Sequence, residues 1–398
     1  MDQPEARSEP RNILDRLSHF LEMFTSGLLS TVEQADMLEI FRSLAHECQG
    51  AGNEGSWWES PISIDGFPFE FSLAIDRNGS ISVRYVVDTQ RRPARPEDLK
   101  STMRRNANMV VPCHQHCSEL VDTLCDQYFA HTPQLNVPLV LHGIRVARGK
   151  GRAGRLYFRT WDRPQEEVRN ILSQCLHPND LKDLRSSCAS HFAVAGVAYD
   201  FDARDLARIK IYLWTQGSAR EAGLAAAREF LGEDCCSLEE LLDIISDRRH
   251  PLRVIPRIFL GLGFRPQGGY RDVKLSLPLC EWGRSSFHRI MPAVSQALST
   301  WGIDIDCTRQ TSVFQPPWRF QPSWLSADRS PKGDSLSVYF VPIRNRTALC
   351  SVEDLRRTPR EESVIDPIRP GTSAVQSAIL QQMFDLLLNA DACDLVAR

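Results

Sequence analysis

The chain has no apolar run long enough to cross a bilayer, almost no net charge, and no second cysteine and histidine cluster at zinc spacing. Each lack closes off a class of function. The longest apolar stretch, Val254 to Phe264, is interrupted by Pro256 and Arg257, and it falls short of the roughly 20 residues that a spanning helix needs. Met1 to Asn12 is polar and charged, without the apolar centre of a secretory signal, which predicts that the protein is not exported. A net charge of -3 and a pI near 6.4 argue against a general binder of nucleic acid or of anionic membranes. Any phosphate recognition must therefore come from cations gathered locally. Twelve cysteines read as reduced, partly buried small apolar residues rather than as a disulfide framework, and a cytoplasmic location follows from that reading.

What is present is a core-forming chain of 398 residues, 42% hydrophobic and 24% charged, enough to fold as a globular protein. Asn12 to Phe24 and Thr31 to Cys48 carry apolar residues at helical spacing, with Ser30 or Thr31 and Glu33 placed to cap the second helix. Pro68 to Asp76 then alternates strictly: Phe69, Phe71, Leu73 and Ile75 fall on one face, and Glu70, Ser72 and Ala74 on the other. Asn78-Gly79 marks the turn into Ser80 to Asp88. Hairpin and helices recur at intervals of roughly 50 to 70 residues. The later pairs are Val137 to Val146 with Arg155 to Trp161, Phe192 to Phe201 with Ala207 to Thr215, Arg253 to Phe264 with Asp272 to Leu279, and Asp304 to Phe314 with Ser335 to Val341. Helices are expected before each pair, and a closing helix over 373–390. The last hairpin is the least regular, because Pro316, Pro317, Pro322 and Pro331 crowd its connection.

The faces of these strands carry the functional signal. Arg208-Ile209-Lys210-Ile211-Tyr212 places a guanidinium, an ammonium and a phenol on one side and isoleucines on the other. Ser82, Arg84 and Val86 alternate in the same way, as do Arg155, Tyr157 and Arg159, Lys274 and Ser276, and Ser337 and Tyr339. Amphipathic helices must cover the apolar faces, so the polar faces point elsewhere. Closure of about ten antiparallel strands into a barrel would aim them into a lumen able to hold a ligand and water. Singly, each charged residue reads as a solvated strand residue, and Tyr339 as packing. Together they read as a site.

Three other motifs look like ligand sites but lack the context. Asn179-Asp180-Leu181-Lys182-Asp183 spells a magnesium and diphosphate motif, but it opens a helix, where Asn or Asp is an ordinary cap. Cys113, His114, His116 and Cys117 have metal-ligand chemistry without a matching cluster. Arg148 to Gly154 is rich in glycine and arginine but lacks the Gly-Lys-Ser/Thr signature of a phosphate loop, and reads as a mobile basic hairpin loop.

Pro68-Phe69-Glu70-Phe71-Ser72 with Val83-Arg84-Tyr85, Arg155-Leu156-Tyr157, and Arg208-Ile209-Lys210-Ile211-Tyr212 resemble, in order and spacing, motifs of the aromatic prenyltransferases of the dimethylallyltryptophan synthase type. The resemblance spans nearly the whole chain. It implies an α+β fold: a single ten-stranded antiparallel barrel, the PT barrel, built from about five α-β-β-α repeats around a solvent-filled chamber. One domain over 1–398 is expected, with a helical preface over 1–50 and the barrel strands within 68–343.

The implied activity is transfer of a dimethylallyl group from dimethylallyl diphosphate to an indole, tryptophan or a tryptophan-derived metabolite. By resemblance, Glu70 accepts the indole N–H. Arg84, Arg155, Arg208, Lys210 and Lys274 hold diphosphate, while Tyr157, Tyr212 and Tyr339 shield the allyl cation. The family's lysine on the strand before Arg155 falls at His142 or Arg145, and an inward His142 is a candidate proton acceptor. Lys274-Leu275-Ser276 stands where the family has Gln-x-Tyr, so one shielding phenol is lost and a cation gained. No cofactor is required, with Mg2+ not essential and no protein metal site. The partners are the two small-molecule substrates, with no nucleic acid and no membrane, and the protein is a monomer or homodimer. Other acceptors (a phenol, quinolone or phenazine), a longer allyl donor, and a non-catalytic barrel binding an anionic aromatic metabolite are the alternatives.

Overall fold

Ten antiparallel strands close on themselves in the computed structural model of the chain, which describes residues 13–48, 60, 68–89, 96–112, 115–130, 140–160, 163–188, 192–215, 225, 228, 258–268, 271–279, 294–303, 319–330 and 333–343. In chain order the strands are β1 (Phe69–Asp76), β2 (Ile81–Val87), β3 (Val140–Ala147), β4 (Gly151–Arg159), β5 (Phe192–Phe201), β6 (Leu206–Thr215), β7 (Phe259–Phe264), β8 (Arg271–Pro278), β9 (Arg319–Ser330) and β10 (Gly333–Ile343). Each pairs with its neighbour in sequence, and β1 pairs with β10 to complete the ring. Around it lie α1 (Ile13–Thr25), α2 (Thr31–Glu47), α3 (Pro96–Val110), α4 (Gln115–Ala130), α5 (Gln165–Cys175) and α6 (Pro178–Cys188). No helix among the described residues is long and apolar enough to cross a membrane.

The expected caps and faces are realised. Ser30 caps α2 in a capping box: the Glu33 amide donates to Ser30 Oγ at 3.3 Å and the Ser30 amide to Glu33 Oε2 at 2.9 Å. The apolar faces of the strands meet the helices. Phe41 of α2 packs on Phe69, Phe71 and Tyr85, and Phe20 and Phe24 of α1 pack on Phe340 of β10. On the far side Tyr128 of α4 meets Phe158 with centroids 4.7 Å apart, and Phe158 meets Tyr199. The core is thus a sleeve between barrel and helices, and burying these rings is worth about 1.5 to 3 kcal/mol each. Because the helices satisfy the outer faces, the alternate side chains are left to fill the lumen.

Three expectations are corrected. The ninth strand is Arg319–Ser330, not Asp304 to Phe314, and 304–314 lies outside the described residues. Pro322 is tolerated inside β9 because the register with β10 slips there: Tyr339 pairs with Trp324 and Phe340 with Pro322, leaving Ser323 as the extra residue of a bulge. The basic stretch 148–154 is not a mobile loop. Residues 151–154 belong to β4, the turn uses Gly149 and Gly151 at positive φ, and the Gly149 amide donates to Glu33 of α2 at 2.8 Å. Arg152 is ion-paired to Asp36 of the same helix at 2.9 Å.

Cys48, Cys125 and Cys175 are thiols outside any disulfide, whereas Cys117 is disulfide-bonded. A single pair needs only two Cα atoms close in space, so weighing a whole disulfide framework overlooked it. The helix that closes the chain in the sequence reading, 373–390, and those expected near 219–231 and 237–246 lie outside the described residues, apart from single helical positions at 225 and 228.

Candidate functional site

The register of the ring decides which side chains share the lumen. Arg84 of β2 is opposite Arg145 of β3 and Ser72 of β1. Arg155 of β4 is opposite Asp200 of β5, which is opposite Arg208 of β6. Lys210 is opposite Gly263 of β7, and Gly263 is opposite Asp272 of β8. Lys274 is opposite Asp328 of β9. Directly paired residues project from the same face of a sheet, so these side chains form a belt around the inside of the barrel. Glu70, Tyr157, Tyr212 and Tyr339 lie on the same inner face.

The cations of the belt are not free points of charge. Arg155 donates to Asp200 through Nε and Nη2, and Arg208 grips the same carboxylate while reaching Asp272 at 2.5 Å. Lys210, about 1% exposed, lies 3.3 Å from Asp272 and 3.2 Å from Asp328, and Lys274 lies 3.5 Å from Asp328. Burial alone would raise the Asp200 carboxyl, yet the Arg155 and Arg208 guanidiniums hold it well below the usual carboxylate range. Burial likewise opposes ionisation of Asp328, and Lys274 and Lys210 overcome it. Burial pushes the Lys274 ammonium down to about 8 against the pull of Asp328, and it lowers Lys210 in the same sense. Six cations (Arg84, Arg145, Arg155, Arg208, Lys210, Lys274) against three carboxylates leave the belt three charges positive, comparable with what a diphosphate ester brings.

Next to the belt is a cavity of about 240 Å3 whose lining includes Glu70, Tyr157, Tyr212, Phe259, Trp324 and Tyr339. The Tyr157 and Tyr212 rings are 5.8 Å apart. Arg155 Nη1 donates to Tyr157 Oη at 2.8 Å, and Lys274 donates to Tyr339 Oη, its ammonium 4.7 Å from that ring. Phe259 meets Trp324 edge-on at 4.8 Å. Ser276 and Ser326 hydrogen-bond to each other at 2.8 Å in the wall. Among the described lining residues Glu70 is the only carboxyl. It is almost fully enclosed, accepts from Ser323 Oγ at 3.1 Å, and burial pushes it up to about 8.

Of the residues singled out in the sequence, Glu70, Arg84, Arg155, Arg208, Lys210, Lys274, Tyr157, Tyr212 and Tyr339 converge on this lumen. His142 does not. It is paired with Val87 and Leu156, both in the helix-facing core, and is fully buried outside the barrel with Nδ1 3.3 Å from Thr89 Oγ1. Burial pushes it down to about 4, so it is a neutral packed imidazole, and the inward basic residue of β3 is Arg145.

The three belt aspartates were missed, although Asp272 lies two residues from Lys274, in phase with it. So were Gly261 and Gly263. An ideal Cβ on Gly261 would come within 2.7 Å of Lys210 Cε, and one on Gly263 within 2.3 Å of Asp272 Oδ1. Strand β7 has no inward side chain at these two positions, so that Lys210 and Asp272 can cross it. The signal was present as Leu260-Gly261-Leu262-Gly263, an alternation of apolar residue and nothing. Among the described residues no group of three His, Cys, Asp or Glu side chains is placed to hold a metal.

No family model and no curated protein matches the chain. Among solved structures it is similar to 5-dimethylallyltryptophan synthase from Streptomyces coelicolor, at 14% identity over 84% of this chain and 98% of that one, with a TM-score of 0.66. It is similar to 6-dimethylallyltryptophan synthase from Micromonospora olivasterospora in complex with DMASPP and Trp, at 16% identity over 82% and 96%, TM-score 0.61. It is also similar to prenyltransferase PriB in a ternary complex with L-tryptophan and dimethylallyl thiolodiphosphate, at 18% identity over 84% and 99%, TM-score 0.60. The likeness takes in almost the whole of each of those chains, and the fold is the PT barrel.

Proposed function

We propose that this barrel is a cytoplasmic aromatic prenyltransferase that moves a dimethylallyl group from dimethylallyl diphosphate to an indole, tryptophan or a tryptophan-derived metabolite, with no metal required. The observation that carries the reading is the adjacency of a net-positive belt and a phenol-lined cavity containing one enclosed carboxyl. The solved barrels with tryptophan and a thiolodiphosphate bound support the substrate classes.

Ionisation breaks the allylic C–O bond, and the electron pair leaves with diphosphate. Fixed guanidinium and ammonium groups stabilise that leaving anion without having to reorganise, on the order of 3 kcal/mol per well-placed donor. Arg84, Arg155, Arg208, Lys210 and Lys274 take this role. The aspartates hold the cations in place before substrate arrives and keep the empty belt from being intolerably charged. The allyl cation faces Tyr157, Tyr212 and Tyr339, whose rings each offer about 0.5 to 2 kcal/mol of cation–π attraction and exclude water.

A ring carbon of the indole supplies the electron pair for the new C–C bond, and the arenium that results loses the proton from that carbon to restore aromaticity. Glu70 orients the acceptor by taking its N–H hydrogen bond. Burial keeps Glu70 neutral in the empty chamber up to about pH 8. Positive charge growing on the ring favours its ionised form, and with His142 on the outer face that carboxylate takes the ring proton. The paired serines Ser276 and Ser326 leave the wall of the chamber thin where a larger residue could stand, and this favours, as a second reading, a longer allyl donor. Incubation of the protein with tryptophan and with dimethylallyl or geranyl diphosphate, read by mass spectrometry, decides. A product heavier than tryptophan by one C5H8 unit is expected, and the absence of prenylated product across indole acceptors would remove the proposal.

A further inference from the structure

The belt has a second side. At the end of the barrel where β1 turns into β2 and β3 into β4, a cavity of about 450 Å3 is lined by Arg84, Arg145, Lys150, Arg152 and Arg204, with Asp76 and Asp202 at its edge. The two carboxylates are engaged by turns: Asp76 accepts from the Asn78 and Ser80 amides at 3.0 and 2.8 Å, and Asp202 from the Arg204 and Asp205 amides at 2.8 and 3.1 Å. Arg84 and Arg145 face each other across β2 and β3. Neither makes an ion pair or hydrogen bond among the described residues, and Arg84 Nε is shut off from solvent without a partner. Desolvation and the adjacent Arg84 guanidinium push Arg145 down to about 10, still charged at neutral pH, and its side chain is open to the second cavity. The belt is therefore ion-paired on β4, β5, β6, β8 and β9, where four cations share three carboxylates, and unpaired on β2 and β3, on the side of this second cavity. The Gly149 to Glu33 and Arg152 to Asp36 contacts fix its wall to α2.

We propose that this basic vestibule is a second anion site, which receives inorganic diphosphate from the belt and releases it at the hairpin end of the barrel. The proposal rests on reading the chamber as a site of prenyl transfer. Once the C–C bond has formed, the aromatic cavity is filled by product. A polyanion would pay heavily to pass the rings of Tyr157, Tyr212 and Phe259, whereas the vestibule offers unpaired guanidiniums and an exposed basic rim.

The test is a calorimetric titration of inorganic diphosphate into the full chain saturated with dimethylallyl thiolodiphosphate, which holds the belt. Binding of about one further diphosphate is expected. Lys150→Glu with Arg204→Glu, both at exposed positions outside the belt, should weaken that binding about tenfold, with the loss growing as salt is lowered. Arg145→Gln, which removes an inner guanidinium without reversing charge, should weaken it at least as much. No second binding event, or one unchanged in both variants, overturns the proposal. In a single turnover the rim variant should form product at the wild-type rate while its steady-state kcat falls; an unchanged kcat overturns the release role. Absence of product with every acceptor would instead sink the prenyl-transfer reading, and it would leave the titration result standing.

Discussion

Replacing Glu70 by glutamine tests whether the folded barrel holds this carboxyl neutral. Glu70 is buried, one side-chain donor reaches it, and burial raises it from 4.5 to about 8. A raised folded value means that the native state binds the proton more tightly than the unfolded chain. The neutral carboxyl is thus no burden below pH 4.5, and an increasing one as pH rises towards 8. At about 1.4 kcal/mol per pH unit, the interval from 4.5 to about 8 is worth roughly 5 kcal/mol, an upper figure because Lys274 and water in the chamber share the charge. Glutamine keeps the oxygen that Ser323 uses and never ionises.

Urea unfolding of both proteins at a series of pH values from 5.5 to 9 reads the effect, and every other titrating group common to both cancels in the difference. The stability of Glu70→Gln relative to wild type should climb by about 1 kcal/mol per pH unit to near pH 8 and then level off. A difference that is flat with pH would refute the reasoning, since Glu70 would then be ionised throughout in the folded state.

Lys274, held down to about 8 by burial, loses its charge in the range where Glu70 gains one, so kcat/KM should peak near pH 8. Lys274→Arg should extend the alkaline limb, and an unchanged limb would remove Lys274 from the anion site. Arg84→Ala should lower kcat/KM by at least a hundredfold with urea stability nearly unchanged, because no carboxylate among the described residues is ion-paired to Arg84 and Asp328 depends first on Lys274 and Lys210. Lys210→Ala should cost both activity and about 1.5 to 3 kcal/mol of stability, because Asp272 keeps Arg208 and Asp328 keeps Lys274 but both lose the ammonium they share. Equal stability in the two variants would contradict the belt. Gly263→Ala should displace Asp272 and destabilise the fold by about 1 to 3 kcal/mol, measured by thermal unfolding; an alanine as stable as wild type would show that β7 is not in contact with the belt.

The sequence made much of this legible because a lumen wall obeys period two. Where one face is apolar and the other charged, as in Arg208-Ile209-Lys210-Ile211-Tyr212, alternation alone assigns inside and outside. Strand β3 defeats that rule. Leu141 puts an apolar residue on the lumen face and His142 a polar one among Val140, Ile144 and Val146, so alternation is blurred and the pairing of His142 with Leu156 settles that it points outward. Strand β9 was hidden by Pro322, which propensity forbids and a bulge permits. The aspartates escaped because a search for an anion site looks for cations, while burying cations together calls for partners of opposite sign. Gly261 and Gly263 escaped because their contribution is the space they leave.

The pairing of β1 with β10 bears on when this protein becomes able to do anything at all. Ring closure joins the first and last strands, among the most distant contacts the chain makes, and such joins are slow to form. Before it happens, the open sheet presents two unpaired edges open to aggregation, Glu70 has no Tyr339 beside it, and the walls face water. A nascent chain still lacking β10 owns nearly every residue of the site and yet has no enclosed room in which the carbocation of the proposed reaction could outlive its first encounter with solvent.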